Sequence, residues 1–234
     1  LFTDSQKERP VHPRIAFADW LTDTSLGAGH LLARVMVNRM WHHHFGRGIV
    51  ETPSDFGTQG FRPTHPALLD YLATQLIENN WNLKPIHKLI MQSSVYRESG
   101  ASNASGMEHD PENHLWWRRP ALRMDAEVIR DHLLAVSGTL DPKMFGPGTL
   151  KQEDKRRSIY LTVKRDKLIP ILQLFDAPDA IQSIGKRNVT TVPPQALAMM
   201  NSPFIRKLAE EFAKRVRPDD QKKLEQLVDD FFFF

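Results

Sequence analysis

The chain has 234 residues, 41% of them hydrophobic, with 31 Lys and Arg against 28 Asp and Glu for a formal charge of +3. That length supports one or two domains with a sizeable core, and so small a charge argues against a dedicated nucleic-acid binder, which gathers its basic residues into one stripe. With no cysteine, the chain can hold no disulfide, thiolate zinc site, iron–sulfur cluster or covalently attached c-type haem.

Residues 1–13 read as a polar lead-in from a longer parent protein, with no signal peptide at Leu1-Phe2-Thr3-Asp4. Residues 14–217 read as one mostly helical domain. Ile15 to Thr22 form a short amphipathic helix, broken at Gly27-Ala28-Gly29. The central helix runs from about His30 to His44, and Gly46 is placed to take its left-handed cap. Pro53, Gly57, Gly60 and Pro63 mark 49–64 as a long loop. Thr64-His65-Pro66 opens a helix with Leu68, Leu69, Leu72 and Leu76 at helical spacing, ended by Asn79-Asn80. A second helix from Asn82 or Lys84-Pro85, with Ile86, Leu89 and Ile90 on one face, completes a helical hairpin.

The Ser-, Asn- and Gly-rich stretch 98–114 reads as a mobile loop, and Trp116-Trp117-Arg118-Arg119-Pro120 returns the chain to the body. A helix spans about Arg123 to Ser137 and stops at Gly138. The charged run Lys151 to Arg157 reads as a solvated surface loop. Ser158-Ile159-Tyr160-Leu161-Thr162-Val163 is the one segment with strand character, to be paired by 143–150 or by Gly48-Ile49-Val50. Leu168 to Phe175 form a helix that ends before Pro178. Pro193-Pro194 and Ser202-Pro203 open the last two, the final one turning Ile205, Leu208, Phe212 and Val216 inward. The fold class is therefore mainly α: a multi-helix globular domain with a small β element around 158–163. Residues 218–234, ending in Phe231-Phe232-Phe233-Phe234, read as a truncated or artefactual tail, because four exposed Phe would promote aggregation. No run approaches the roughly 18 apolar residues of a membrane span.

Two clusters carry candidate chemistry. On the central helix, Ala33, Met36, Val37, Met40 and Trp41 share one apolar arc, while Arg34, Asn38, Arg39, His42 and His43 alternate with Leu31, Leu32 and Val35 on the other half. Those aliphatics imply that the helix is largely covered and that its polar groups are paired. Asp55, Asp70, Asp125, Asp131 and Asp176 are the available carboxylates. The pairing is either structural or the wall of a pocket for an anionic or sugar-like ligand. His42, His43 and His44 are the metal candidates. Neighbours on a helix diverge by about 100°, so the three cannot face one ion, no His-Glu-x-x-His motif occurs, and a metal held here would need a distant ligand such as His65, His87 or Asp55.

The second cluster runs from Phe175-Asp176-Ala177-Pro178-Asp179 to Gly185-Lys186-Arg187-Asn188-Val189-Thr190-Thr191-Val192-Pro193-Pro194-Gln195. A helix start with hydroxyls and a guanidinium just ahead of it can bind an anion. The simpler reading is that Thr191 caps the helix and Arg187 pairs with Asp176 or Asp179. Asp176 and Asp179 also form a possible acid/base pair.

The stretch Arg34 to Val50 resembles the domain-of-unknown-function family 1553. Ala18-Asp19-Trp20-Leu21-Thr22, Thr52-Pro53-Ser54-Asp55-Phe56-Gly57, Pro63 to Asp70, Leu89 to Arg97, Arg123 to Asp131, Phe175 to Asp179 and Arg187 to Leu197 resemble it too, so the likeness covers about residues 14–216. The resemblance implies an exported planctomycete protein, periplasmic or at the cell surface, with a cytochrome c-like domain and a second uncharacterised domain on the same polypeptide. Haem c is then expected only on that separate domain, and no cofactor in this chain. Carbohydrate-binding modules accompany some members.

Three functional readings follow. The first is a helical module that binds or packs in extracellular polysaccharide processing, with the other domains of the polypeptide and carbohydrate as partners. The second is a hydrolase-like enzyme with a polar cleft between the central helix and 176–195. There Asn38, Arg39, Arg187, Thr190, Thr191 and Gln195 would hold the ligand, and Asp55, Asp176 or His43 would move protons. The third, a nucleic-acid-binding helical domain, is disfavoured by the charge.

Overall fold

Proline sets where many of the helices start. Its fixed φ suits a first helical turn, and its missing N–H removes a donor that would lack a partner there. In the computed structural model, which describes residues 12–165, 167–181 and 184–216, helices begin on Pro13, Pro66, Pro170, Pro193 and Pro203. The fold is mainly α, and its contacts gather into two compact units, residues 1–122 and 123–234, each with its own core. The sequence reading treats 14–217 as one body. Most of the lead-in, and the tail with its four Phe, lie outside the described residues. Among those residues no helix is long and apolar enough to cross a membrane.

In the first unit, α1 (Pro13–Thr22) leads into α2 (Gly29–Phe45), the central helix. Gly46 closes α2 in the left-handed region at φ 73°, its N–H bonded to the His42 carbonyl. The hairpin of α3 (Pro66–Glu78) and α4 (Leu83–Gln92) packs on α2. Asn82 caps α4 by accepting the Lys84 N–H at 3.2 Å. The core joins Ala33, Val37, Trp41 and Phe45 of α2 to Leu69, Leu72 and Leu76 of α3 and to Ile86 and Ile90 of α4. Trp41 stacks obliquely on Phe45 (centroids 4.3 Å apart) and edge-on against Trp116 (5.5 Å). A short α5 (Ser94–Arg97) follows. The stretch 98–114 is not loop throughout: α6 (Ala104–His109) forms within it, because Asn103 accepts the Gly106 N–H at 2.6 Å and caps the turn.

The second unit packs α7 (Ala126–Val136), α8 (Pro170–Leu174) and α10 (Pro203–Val216) around Leu134, Leu161, Ile171, Phe204 and Leu208, with α9 (Pro193–Asn201) against α10. The expected strand is reduced. Ser158–Tyr160 is a 3-10 turn, and the β element shrinks to isolated bridges, of which the one within 158–163 joins Leu161 to Thr149, a partner inside the expected 143–150. The cause is local. The Asp131 carboxylate accepts both the N–H and the hydroxyl of Ser158 at 2.6 Å, which pins the chain in a turn and leaves Ile159 77% and Val163 72% exposed.

The run Lys151 to Arg157 is more than a solvated loop. Lys151, Glu153, Lys155 and Arg157 are exposed, while the carbonyls of Gln152, Asp154 and Arg156 accept hydrogen bonds from Arg130, which is wholly buried. Ser158 Oγ accepts a further one at 3.2 Å. The segment is a carbonyl cage around one guanidinium.

Candidate functional site

The residues singled out from the sequence divide between the units. Asn38, Arg39, His42, His43, His44 and Asp55 belong to the first, and Asp176, Arg187, Thr190, Thr191 and Gln195 to the second. On α2 the expected pairing holds for two polar groups and fails for a third. Arg34 Nε donates to Asp70 Oδ1 at 2.7 Å, in a pair that stays substantially exposed. Asn38 is fully buried, and its partner is backbone rather than carboxylate. Its Nδ2 donates to the Val50 carbonyl at 3.0 Å, and its Oδ1 accepts the Val50 N–H at 2.8 Å. This clamps the chain just beyond the helix. Gly48 belongs to the clamp, since a Cβ there would lie 2.7 Å from Asn38 Nδ2.

Arg39 is exposed and has no acidic partner among the described residues. Leu31, Arg39 and His43 are all exposed, at four-residue multiples along one stripe, so α2 is not covered on every side. The aliphatics of its polar half are tolerated at a partly solvated surface. Asp55 is committed to its own turn, where Oδ1 accepts the Gly57 N–H at 2.8 Å.

The three adjacent histidines diverge. His43 is exposed, whereas His44 Nε2 lies 2.9 Å from His87 Nδ1 and its ring meets Tyr96 edge-on. Burial, and after it the charges of His87, Arg119 and His43, push the His44 imidazole below its ordinary pKa. Among the described residues no three His, Cys, Asp or Glu side chains gather as a metal site.

The second unit brings its candidates together, in a different pattern from the one expected. Asp176 sits at φ 63°, a conformation that Asp tolerates better than most residues. Its carboxylate accepts the Thr190 N–H at 2.8 Å and the Thr190 hydroxyl at 2.8 and 3.0 Å, with Arg123 Nη1 at 3.5 Å. The Thr190 backbone bond is the largest influence on this carboxyl and holds it below the ordinary range, against the opposing effect of burial. Gln195 is buried. Its Nε2 donates to the Leu174 carbonyl at 3.0 Å, and its Oε1 accepts the Val192 N–H at 3.2 Å. Gln195 therefore does the capping expected of Thr191, which is exposed.

Arg187 pairs with neither Asp176 nor Asp179. It forms a fork on Glu127, Nη1 to Oε2 at 2.7 Å and Nη2 to Oε1 at 3.1 Å, with Asp125 at 3.8 Å. Burial works to raise the Glu127 carboxyl. The Arg187 hydrogen bonds and charge outweigh it, and the group stays below its ordinary range.

Arg187 and Glu127 line a cavity of about 370 Å³. Buried Leu161 and Ile169 form its floor, Leu168, Leu172, Pro178 and Ile184 extend its apolar wall, and exposed Lys167 and Asp179 edge it. A concave, largely apolar surface with a few fixed polar groups is the usual form of a small-molecule site. A free anion would find Arg187 already neutralised. An acid/base mechanism would find Asp176 spent on Thr190.

Sequence reasoning named His87 only as a distant metal ligand for the histidine cluster, not as the hydrogen-bond partner of His44, and it missed Arg187 with Glu127, Arg130 with its carbonyl cage, and the Asp110–Asn113 turn. Only two left a signal. Arg130 falls on the apolar face of α7 with Ala126 and Leu134, four residues to either side. Asp110-Pro111-Glu112-Asn113 has turn composition.

No curated protein and no solved structure matches the chain. A family model described as "Protein of unknown function (DUF1553)" does match it, over residues 13–233, and with nearly the whole chain covered, the protein belongs to that family.

Proposed function

We propose that the chain is a binding and packing module of an exported, multidomain protein. On this reading it works beside a cytochrome c-like domain, which carries the haem c, and a second domain, and it contributes to the processing of extracellular polysaccharide. One observation carries the binding role: the cavity floored by Leu161 and Ile169 joins an apolar wall to the fixed Arg187–Glu127 pair, while Asp176, Thr190 and Gln195 are consumed in holding its neighbourhood together. Such a site offers shape and a few oriented polar groups rather than a proton-transfer pair. The test is thermal denaturation of the intact parent protein with neutral sugars, sulfated sugars and divalent metals. A rise with one sugar class that disappears in Arg187→Ala supports the reading, and the absence of any sugar-dependent rise overturns it.

A hydrolase-like enzyme is the second reading, favoured by Glu127 and Asp179 lining the same cavity. Glu127 is a poor acid because Arg187 holds it ionised, which leaves Asp179 as the group to test. Polysaccharide cleavage abolished by Asp179→Asn would put this reading first.

A further inference from the structure

The first unit has a cavity of its own, of about 370 Å³, between the end of α2 and residues 112–122. Its shape is set by a turn that folds its polar side chains back onto the main chain. Asp110, 8% exposed, accepts the N–H groups of His114 (2.8 Å) and Leu115 (2.7 Å), and its carbonyl accepts the Trp117 indole N–H at 2.7 Å. Asn113, 5% exposed and at φ 58°, donates to the Arg118 carbonyl at 2.8 Å and accepts the Arg118 N–H at 3.2 Å. The backbone of Arg118 is thus held from both sides.

Two arginines line this cavity, and they differ. Arg47 is committed: Nη2 donates to the Asn113 carbonyl at 2.6 Å, Nε faces Glu51 at 3.3 Å, and the guanidinium lies over the Trp116 ring. Among the described residues the Arg118 guanidinium has no carboxylate and no carbonyl. It lies over the face of Trp117, 4.9 Å from the ring centroid. Arg118, half-buried on a locked turn, therefore lines a cavity whose other wall is Phe45, Pro120 and Leu122.

We propose that this cavity binds a small organic carboxylate, with Arg118 taking the carboxylate and the apolar wall taking the body of the molecule. The guanidinium fork matches a carboxylate edge-on, and a rigid donor loses little freedom on binding. The volume lies near the lower end of small-molecule sites, about 300–1,000 Å³, which suits one ring or a short chain. The charge balance selects a monoanion. Glu51 offsets Arg47, and Glu112, which also lines the cavity, opposes a second negative charge. The site is independent of the Arg187 cavity, which belongs to the other unit.

The test measures thermal shift and calorimetric binding on the full protein with benzoate and glucuronate. Benzyl alcohol, glucose and inorganic phosphate are the controls. At least one carboxylate binds saturably while its neutral counterpart and phosphate do not. The affinity falls about tenfold or more in Arg118→Gln, as expected for loss of a charge-assisted fork, and is unchanged in Arg187→Gln. Arg118→Lys, which keeps the charge and loses the fork, falls between, and serves alone if the Gln variant does not fold. Failure of both carboxylates to bind at millimolar concentration, equal binding of phosphate, or undiminished binding in the Arg118 variants overturns the proposal.

Discussion

Removing the Asn38 amide tests the clamp at the end of the central helix. Asn38 is 0% exposed and Val50 2%, so neither Val50 backbone group can turn to solvent when its partner is lost. Asn38→Ala forfeits two hydrogen bonds and leaves a buried N–H and a buried carbonyl. Each unsatisfied group costs about 1–3 kcal/mol, and a water entering the vacated space recovers part of that, so we expect a loss of roughly 3 kcal/mol. Asn38→Asp is the sharper probe. The new carboxylate can still accept the Val50 N–H, but it faces the Val50 carbonyl with a second acceptor and a buried charge. At neutral pH this variant should be less stable than the alanine one. Its folded-state pKa is raised above the unfolded value of about 3.9, so the penalty is full above the folded pKa and shrinks as pH falls and the protonated carboxyl donates to Val50. Urea denaturation followed by tryptophan fluorescence reads both, because Trp41 and Trp116 lie in the same core. An alanine variant within about 0.5 kcal/mol of wild type, or an aspartate variant as stable as it at neutral pH, would refute the reasoning.

Two further predictions concern buried or half-buried basic groups. Arg130→Met keeps much of the stem but strips the donors from the carbonyls of Gln152, Asp154 and Arg156, and should cost about 3 kcal/mol in urea denaturation. A loss under about 1 kcal/mol would mean that the cage hydrates freely. The His44 imidazole is held below its ordinary pKa of 6.5 in the fold, chiefly by burial, so the unfolded chain takes up this proton first as pH falls. Stability attributable to His44 is therefore intact above that value and is lost as pH falls from it to the folded pKa. The melting temperature of His44→Gln should decline less steeply between about pH 7 and pH 5 than that of wild type, and parallel slopes would exclude the linkage.

Helix starts and stops were legible in the sequence because they depend on residues close along the chain. Proline entries, the Gly46 cap and the Asn79-Asn80 end all follow from the backbone preferences of single residues. Partner choice was not. Arg187 lay near Asp176 and Asp179 in sequence yet took Glu127, 60 positions away, and Asn38 took a backbone partner where a carboxylate was expected. The Ser158–Val163 segment shows the limit most directly. Its β-branched and aromatic residues favour extension, but Asp131, 27 positions earlier, captures Ser158 and turns the chain.

What the sequence determined alone was the family, the helical class and the approximate extent of most helices, since periodicity and capping are local properties. Only the tertiary structure decided that the apolar contacts form two cores, that Arg130 is sealed inside carbonyls, and that Arg118 lines a cavity with no anionic partner among the described residues. A polar side chain's role depends on which groups reach it once water is excluded, and that exclusion is set by distant parts of the chain packing together.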